Sequence, residues 1–111
     1  MGEAERFSID DLIALIAARA VAPADRSYTR ALLDAGMPRI AKKFGEEAIE
    51  TIVAALGGSK PELVAEAADT IYHLLVLLQA AGLHFDRVVE ELGRRTRQSG
   101  LDEKAARIAS A

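Results

Sequence analysis

The chain has 111 residues, a length typical of a single domain. Ala and Leu, both strong helix formers, supply 22 and 13 residues, and Trp is absent, so the composition predicts an all-α fold. With 14 basic and 17 acidic side chains the net charge is −3, which disfavours a nucleic-acid-binding function. The absence of Cys excludes disulfides, thiolate zinc sites and cysteine nucleophiles.

Caps and helix-breaking residues divide the chain into predicted helices. Ser8 and Ser59 each begin a capping-box pattern, in which an acidic residue follows three positions after a Ser. Ser27 is a predicted N-cap, and Gly36 and Gly82 are predicted to end the helices that precede them. These signals predict five helices, over residues 9–20, 28–35, 38–56, 60–81 and 86–97.

The two ends of the chain carry little that identifies a function. We expect one domain over residues 1–111, with the first helix, within 1–26, outside the motifs described below and 99–111 forming a tail that frays. The first residues are acidic, unlike the basic start of a signal peptide, and no uninterrupted apolar run approaches the roughly 20 residues that span a bilayer. We therefore predict a cytoplasmic protein that binds neither membranes nor nucleic acid.

The fourth predicted helix is apolar on almost every side after Ile71. A helix that is apolar all round has to be buried on all sides, and a chain this short has few elements with which to surround it. We therefore expect a bundle of about five helices whose core is completed by a second copy in a two-fold symmetric dimer. The alternative is that this segment forms the central helix of a monomeric bundle.

The third predicted helix carries Glu46, Glu47 and Glu50 within one sector about 100° wide. Taken alone, these side chains are typical of a solvated face. Lys42 and Lys43 precede Glu46 and Glu47 by four residues, a spacing that allows ion pairs on a helix surface.

The fourth predicted helix changes that interpretation, because it carries a narrow acidic stripe on an otherwise apolar surface. Glu62, Glu66, Asp69 and His73 lie within a sector about 60° wide. Acidic residues are rarely buried without partners. Glu66 and Asp69 are three residues apart, as are the last two glutamates of the third helix. A short turn joins the two helices, so the acidic pairs can face each other across a groove.

Two facing pairs of carboxylates predict a metal site. Hard oxygen ligands without Cys indicate Mg²⁺, or alternatively Mn²⁺, rather than zinc. A ferritin-like di-iron centre needs Glu-x-x-His on two helices, which neither acidic pair provides, so His73 is interpreted as packing or hydrogen-bonding beside the site. Mg²⁺ held by few carboxylates completes its shell with water and phosphates, which predicts a polyphosphate substrate and nearby cations. The candidate cations, each typical of ordinary solvated charge if taken singly, are Lys43, Arg39, Arg94, Arg95 and Arg97.

The segment K-F-G-E-E-A-I-E at 43–50, followed by E-A-A-D at 66–69, resembles the K-x-G-E-E-x-x-E…E-x-x-D motif of the all-α NTP pyrophosphohydrolases, the MazG-like superfamily. Within it, S-Y-T at 27–29 and A-D-T-I-Y-H at 68–73 resemble the bacterial phosphoribosyl-ATP pyrophosphatases, and the resemblance spans 27–107. It implies an all-α homodimer that uses Mg²⁺. The implied reaction converts phosphoribosyl-ATP to phosphoribosyl-AMP and pyrophosphate, the second step of histidine biosynthesis.

The resemblance also implies roles for individual residues. Lys43 would hold phosphate, and Tyr72 and His73 fit the family pattern. With these three, the candidate substrate-binding residues include Arg39, Arg94 and Arg95. The implied metal ligands are Glu47, Glu50, Glu66 and Asp69, and the implied catalytic set is Glu46, Glu47 and Glu50, in which Glu46 would orient or activate water or support the metal shell.

Two other functions are compatible with parts of the pattern. A house-cleaning pyrophosphatase of the same superfamily, acting on NTPs or dNTPs, would carry the same acidic motif, and only the flanking segments separate the two. A non-catalytic helical dimerisation module would instead have its acidic stripe paired with Arg or Lys of the partner helix.

Overall fold

The computed structural model describes residues 6–23, 27–97 and 107–108. Within these ranges the chain forms no strand and five helices, whose ends lie within one residue of the predicted ones, so the predicted all-α fold is confirmed. The predicted tail over 99–111 lies outside the described residues, apart from 107–108. The helices are α1 (Ile9–Ala20), α2 (Tyr28–Ala35), α3 (Met37–Gly57), α4 (Lys60–Ala80) and α5 (Phe85–Thr96).

Both predicted capping boxes are formed. At the start of α1, the Asp11 amide donates to Ser8 Oγ and the Ser8 amide donates to the Asp11 carboxylate, each over 3.0 Å. At the start of α4, Ser59 and Glu62 make the same reciprocal pair over 3.1 and 3.2 Å. These bonds satisfy backbone donors that have no partner inside the helix.

Two glycines end helices in backbone conformations that other residues rarely adopt. Gly36, with φ of 93°, separates α2 from α3, and Gly82, with φ of 72°, follows α4. After α4, the Leu83 amide donates to the Leu78 carbonyl over 2.9 Å and the Gly82 amide donates to the Gln79 carbonyl over 3.1 Å. These two hydrogen bonds together form a Schellman motif, which turns the chain towards α5.

The core lies where α1, α2 and α3 meet the C-terminal half of α4. Ile40 of α3 and Val76 of α4 are fully buried at its centre. Burying each such side chain contributes about 1.5–3 kcal/mol. α5 adds Phe85 and Val88 at the edge of this cluster. The Leu-rich half of α4 is therefore largely covered within the chain, which reduces the need for a second copy at that helix.

A stripe of exposed apolar side chains runs along α3, although α4 also exposes Val64 and Ile71. The four members of the stripe are 57–84% exposed: Ile49, Ile52, Leu56 and Val53, the last of which also lines an open groove with Glu66 of α4. We call these four residues the outer face of α3. An exposed apolar stripe of this kind is typical of an interaction surface.

One helix among the described residues, α4, is long and apolar enough by length and composition alone to cross a membrane, with a mean hydropathy of 1.3. This holds although the sequence has no uninterrupted apolar run of that length. A single helix of this kind is weak evidence of membrane insertion, since the core helix of a soluble protein passes the same test.

Candidate active site

Three carboxylates from α3 and α4 meet in one place. Glu47 of α3 and Glu66 and Asp69 of α4 each offer an oxygen atom, and these atoms lie within 4.8 Å of one another. The two helices are joined by a short turn and pack more extensively against each other than any other described pair. The positions of the acidic residues around each helix predicted that the pairs on α3 and α4 face each other. The structure shows this for these three side chains.

The remaining carboxylate, Glu50, is exposed beside the other three. Its pKa is raised, first by a hydrogen bond with Glu66 that needs a proton between the two carboxyls, whereas hydrogen bonding with Glu47 and the charge of Lys43 lower it. Glu50 therefore lies close enough to Glu47 and Glu66 to belong to the same group. We call Glu47, Glu50, Glu66 and Asp69 the carboxylate cluster.

Glu47 is the buried member of the carboxylate cluster, with 9% of its surface exposed. Its Oε2 atom is buried and accepts no hydrogen bond from the described residues. Burial raises the pKa of Glu47, and the negative charges of Glu50 and Asp69 raise it further. A buried acceptor without a partner costs about 1–3 kcal/mol, more when it is charged, and a bound cation would offset that cost. The cluster thus fits a metal ion.

Lys43 lies at the edge of the carboxylate cluster. Its Nζ atom is 3.8 Å from Oε1 of Glu46 and 3.7 Å from Oε1 of Glu47. These distances are too long for hydrogen bonds, so the ammonium group is held only by charge attraction. Glu46 is exposed, as expected of a residue on a solvated helix face. Glu47 is buried and therefore does not belong to such a face.

His73 is buried next to the carboxylate cluster and is hydrogen-bonded within the chain. Its Nδ1 lies 2.7 Å from the Asp69 carbonyl oxygen, so Nδ1 carries the proton and donates it. In the neutral imidazole, Nε2, which lies 3.4 Å from the Tyr28 hydroxyl oxygen, then accepts that O–H. The prediction that His73 hydrogen-bonds beside the site agrees with this geometry. The Tyr72 hydroxyl is also engaged, 2.6 Å from Thr29 Oγ1.

The predicted arginines lie in two different places. Arg39 is exposed on α3, one turn before Lys43, beside an open groove that Tyr28 also lines. Arg94 and Arg95 lie near the end of α5 and donate to the Glu91 carboxylate over 2.6 and 2.8 Å, which lowers the pKa of Glu91 to about 2. Substrate binding by any of these arginines stays a prediction.

Two threonines at the site were not singled out from the sequence. Thr51 and Thr70 follow the acidic pairs of α3 and α4 directly, and their hydroxyl oxygens are 2.7 Å apart across the two helices. A signal was present, because the pattern Glu-Ala-x-acidic-Thr occurs at 47–51 and again at 66–70. Tyr28, which bonds His73, was noted only as part of the S-Y-T segment.

Comparison with known proteins decides the family. Residues 9–96 match the phosphoribosyl-ATP pyrophosphohydrolase family. The chain belongs to this family. The match includes α1, which carries none of the motifs recognised in the sequence.

Curated relatives cover nearly the whole chain. The chain is 53% identical to the phosphoribosyl-ATP pyrophosphatase of Azorhizobium caulinodans over 103 residues, which are 93% of this chain and 94% of the relative. It is 54% identical to phosphoribosyl-ATP pyrophosphatase 1 of Bradyrhizobium diazoefficiens, over 92% and 96% of the two chains. It is 56% identical to the phosphoribosyl-ATP pyrophosphatase of Erythrobacter litoralis, over 90% and 96%. The resemblance stated from the motifs is thereby confirmed.

The raised pKa of Glu47 predicts how the metal-free protein responds to pH. The folded chain binds more protons than the unfolded chain between the ordinary carboxyl pKa and the raised one, so the free energy of unfolding should increase as the pH falls through that window. We expect this increase in urea unfolding with EDTA as the pH is lowered from neutral towards the ordinary carboxyl pKa of 4.5, and a smaller one for Glu47→Gln. Equal pH slopes for the two proteins would contradict the prediction. The window ends above the range in which protonation of Glu91, whose pKa is lowered to about 2, removes stability.

Proposed function

We propose that this protein hydrolyses phosphoribosyl-ATP to phosphoribosyl-AMP and pyrophosphate, the second step of histidine biosynthesis, with Mg²⁺ as cofactor. Membership of the phosphoribosyl-ATP pyrophosphohydrolase family supports the reaction. The observation that carries the metal-dependent mechanism is the buried Glu47 Oε2, which has no hydrogen-bond partner among the described residues and belongs to a group of carboxylates with Glu66 and Asp69 whose oxygens lie within 4.8 Å of one another. Hydrolysis of a phosphoanhydride is a reaction that a metal held by such a cluster can support.

The proposed ligands are the four residues of the carboxylate cluster, Glu47, Glu50, Glu66 and Asp69. Carboxylate oxygens in this number favour Mg²⁺, and they also suit Mn²⁺. A bound Mg²⁺ would neutralise phosphate charge and lower the pKa of water near the reacting phosphorus. A cation bound to the cluster would reduce the repulsion between its carboxylates and the phosphates of the substrate.

We assign the proton-accepting role to Glu46, whose exposed carboxylate lies 3.8 Å from Lys43, the same lysine that approaches Glu47 of the carboxylate cluster. In the reaction, the water oxygen forms a bond to phosphorus, the anhydride bond between the α- and β-phosphates breaks, and pyrophosphate leaves. Glu46 would take the proton that the attacking water releases. Lys43, held 3.7–3.8 Å from Glu46 and Glu47 without a hydrogen bond, is free to turn towards a phosphate oxygen.

The other proposed substrate-binding residues would act in two ways. Arg39 and the α5 pair Arg94 and Arg95 would attract the phosphates by charge. Tyr72 and His73 would shape the site, because their polar atoms are already hydrogen-bonded inside the chain. This division predicts that an arginine substitution raises KM, whereas disruption at His73 also affects the cluster itself through Asp69.

Release of pyrophosphate from phosphoribosyl-ATP, measured beside a panel of NTPs and dNTPs, tests the proposal. We expect turnover of phosphoribosyl-ATP that requires Mg²⁺ and disappears with EDTA. A preference for a dNTP would instead assign a house-cleaning pyrophosphatase. A chain that neither turns over any of these substrates nor gains thermal stability from millimolar Mg²⁺ would be a non-catalytic dimerisation module.

We also propose that the protein works as a homodimer, joined through the outer face of α3. The support is the exposure of Ile49, Ile52, Val53 and Leu56 as a stripe along α3, the helix that also carries Glu47 and Glu50. A cytoplasmic location without membrane or nucleic-acid partners stays a prediction.

A further inference from the structure

Thr51 and Thr70 form a pair of hydroxyls between the two helices that carry the carboxylate cluster. Thr51 Oγ1 lies 2.9 Å from the Glu47 carbonyl oxygen on α3, and Thr70 Oγ1 lies 2.9 Å from the Glu66 carbonyl oxygen on α4. The two Oγ1 atoms are 2.7 Å apart, and both side chains are half-buried. Three close oxygen contacts thus share two hydroxyl protons.

The number of protons determines how the three contacts are made. Two hydroxyl oxygens 2.7 Å apart need a proton between them, because lone pairs facing each other at that distance repel. One threonine therefore donates to the other and the second donates to the carbonyl one turn before it on its own helix, so the first threonine has no proton left for its own carbonyl. Either arrangement contains the bond between the helices, and removing either hydroxyl breaks that bond.

The position of the pair relative to the carboxylate cluster is the same on both helices. Each threonine directly follows one cluster carboxylate, Glu50 or Asp69, and contacts the backbone of the other, Glu47 or Glu66. We propose that the bond between Thr51 and Thr70 sets the separation and register of α3 and α4 at the metal site, so that both threonines are positioning residues for the metal ligands. This inference rests on the proposed metal-dependent function.

The physical reason is the repulsion inside the carboxylate cluster. Oxygen atoms of Glu47, Glu66 and Asp69 lie within 4.8 Å of one another, and negative charges this close on two helices act to push the helices apart when no cation lies between them. Apolar packing tolerates small shifts of a helix, whereas a hydrogen bond is directional and weakens steeply with distance and angle. The hydroxyl pair lies within one turn of the ligands on both helices, where it holds them at a separation that suits one small cation.

Binding of Mn²⁺, followed by its electron paramagnetic resonance signal, and Mg²⁺-dependent thermal stability test the inference without any activity assay. Val has nearly the shape of Thr but no hydroxyl, so Thr51→Val and Thr70→Val should each weaken metal affinity about fivefold, equivalent to about 1 kcal/mol for one hydrogen bond. The double Val variant should be little weaker than either single one, because the same bond is lost. Thr51→Ser and Thr70→Ser should stay within about twofold of the original protein.

The matched control is Thr96→Val on α5, where the Thr96 hydroxyl donates to the Leu92 carbonyl of its own helix without a described partner on another helix. It should leave metal affinity unchanged. Unaltered affinity in the Val variants, additive losses in the double variant, or Ser variants as weak as Val would each overturn the positioning role. If the original chain binds neither Mn²⁺ nor Mg²⁺, the proposed metal site fails together with this role, whereas Val variants that bind as tightly as the original chain remove only the role of the threonines.

Discussion

Replacing Glu47 with Gln is expected to reduce pyrophosphate release by at least about a hundredfold, because losing even an outer-shell partner of a metal site costs 10–100-fold. Gln keeps the shape of the side chain but removes the charge from the most buried member of the carboxylate cluster. The Oε2 position of Glu47 is buried and receives no hydrogen bond from the described residues, so its proposed partner is the cation. Initial rates with phosphoribosyl-ATP at increasing Mg²⁺ would measure the loss.

The same substitution should act on stability in the opposite direction when no metal is present. A buried carboxylate whose pKa is raised by burial and by Glu50 and Asp69 destabilises the folded state at neutral pH, and a neutral amide removes that cost. We expect the free energy of unfolding of Glu47→Gln in EDTA to exceed that of the original chain by about 1 kcal/mol or more. Mg²⁺ should then stabilise only the original chain, by about 2.7 kcal/mol at a hundredfold excess over Kd.

Glu90→Gln provides the control for both measurements. Glu90 is exposed on α5 and pairs with Arg87 over 3.5 Å, a surface ion pair that contributes little. It should keep its turnover, its Mg²⁺ response and its stability in EDTA. Near-normal turnover of Glu47→Gln at saturating Mg²⁺ would contradict the assignment of Glu47 as a ligand, and a loss of stability in EDTA would show that the Glu47 carboxylate has a partner in the metal-free chain.

The helices and the acidic cluster were predictable because both depend on neighbours along the chain. A capping box such as Ser59 with Glu62 needs only residues three apart, and it is present with both of its bonds. The angular spacing of residues around one helix places Glu66 beside Asp69, and a short turn requires the preceding helix to run antiparallel. From these two local facts, three of the four carboxylates could be brought together correctly.

The contacts that were missed depend on the register between helices. The bond between Thr51 and Thr70 joins residues 19 positions apart, and that between Tyr28 and His73 joins residues 45 positions apart. Which residue of one helix faces which residue of another is set by side-chain sizes throughout the interface, which a pattern on a single helix does not contain. The repeated Glu-Ala-x-acidic-Thr pattern indicates equivalent positions, but only the structure shows that the two threonines meet.

The surface that we propose for dimerisation differs from the one that the sequence predicted, and the difference has a physical reason. The run of apolar residues in α4 suggested that this helix is covered by a partner, yet α1 and α2 cover Leu75, Val76 and Leu78 within the chain. A stripe of four exposed apolar residues lies on α3 instead, where an amphipathic pattern is harder to recognise because the acidic residues of the site interrupt it. The sequence pattern placed the dimer interface at α4, and that interface stays a prediction, whereas the outer face of α3 is the surface that we propose to test.

Ile49→Lys is the substitution with which to test that surface. Ile49 is 61% exposed on the outer face of α3, and a Cβ at Gly45, one turn earlier, would meet no described atom within 4 Å beyond its chain neighbours and the nearby backbone of its own helix. In a two-fold symmetric dimer each substitution occurs twice. Losing the burial of two Ile side chains, at about 1.5–3 kcal/mol each, should raise the dimer Kd by roughly 10²–10⁴-fold.

Sedimentation equilibrium at several concentrations would measure this change, with Val21→Lys as the control. Val21 is 81% exposed after the end of α1, outside the outer face of α3, so its substitution should leave the dimer Kd unaltered. A monomeric original chain, or an Ile49→Lys variant that dimerises as tightly as the original, would contradict the proposed interface. Because all four carboxylates of the proposed metal site come from one chain, monomeric Ile49→Lys should still bind Mn²⁺ with its original affinity. Its turnover then separates the two roles of a partner: a monomer with full activity needs no group from the second copy, whereas a raised KM with intact metal binding assigns substrate-binding groups to it.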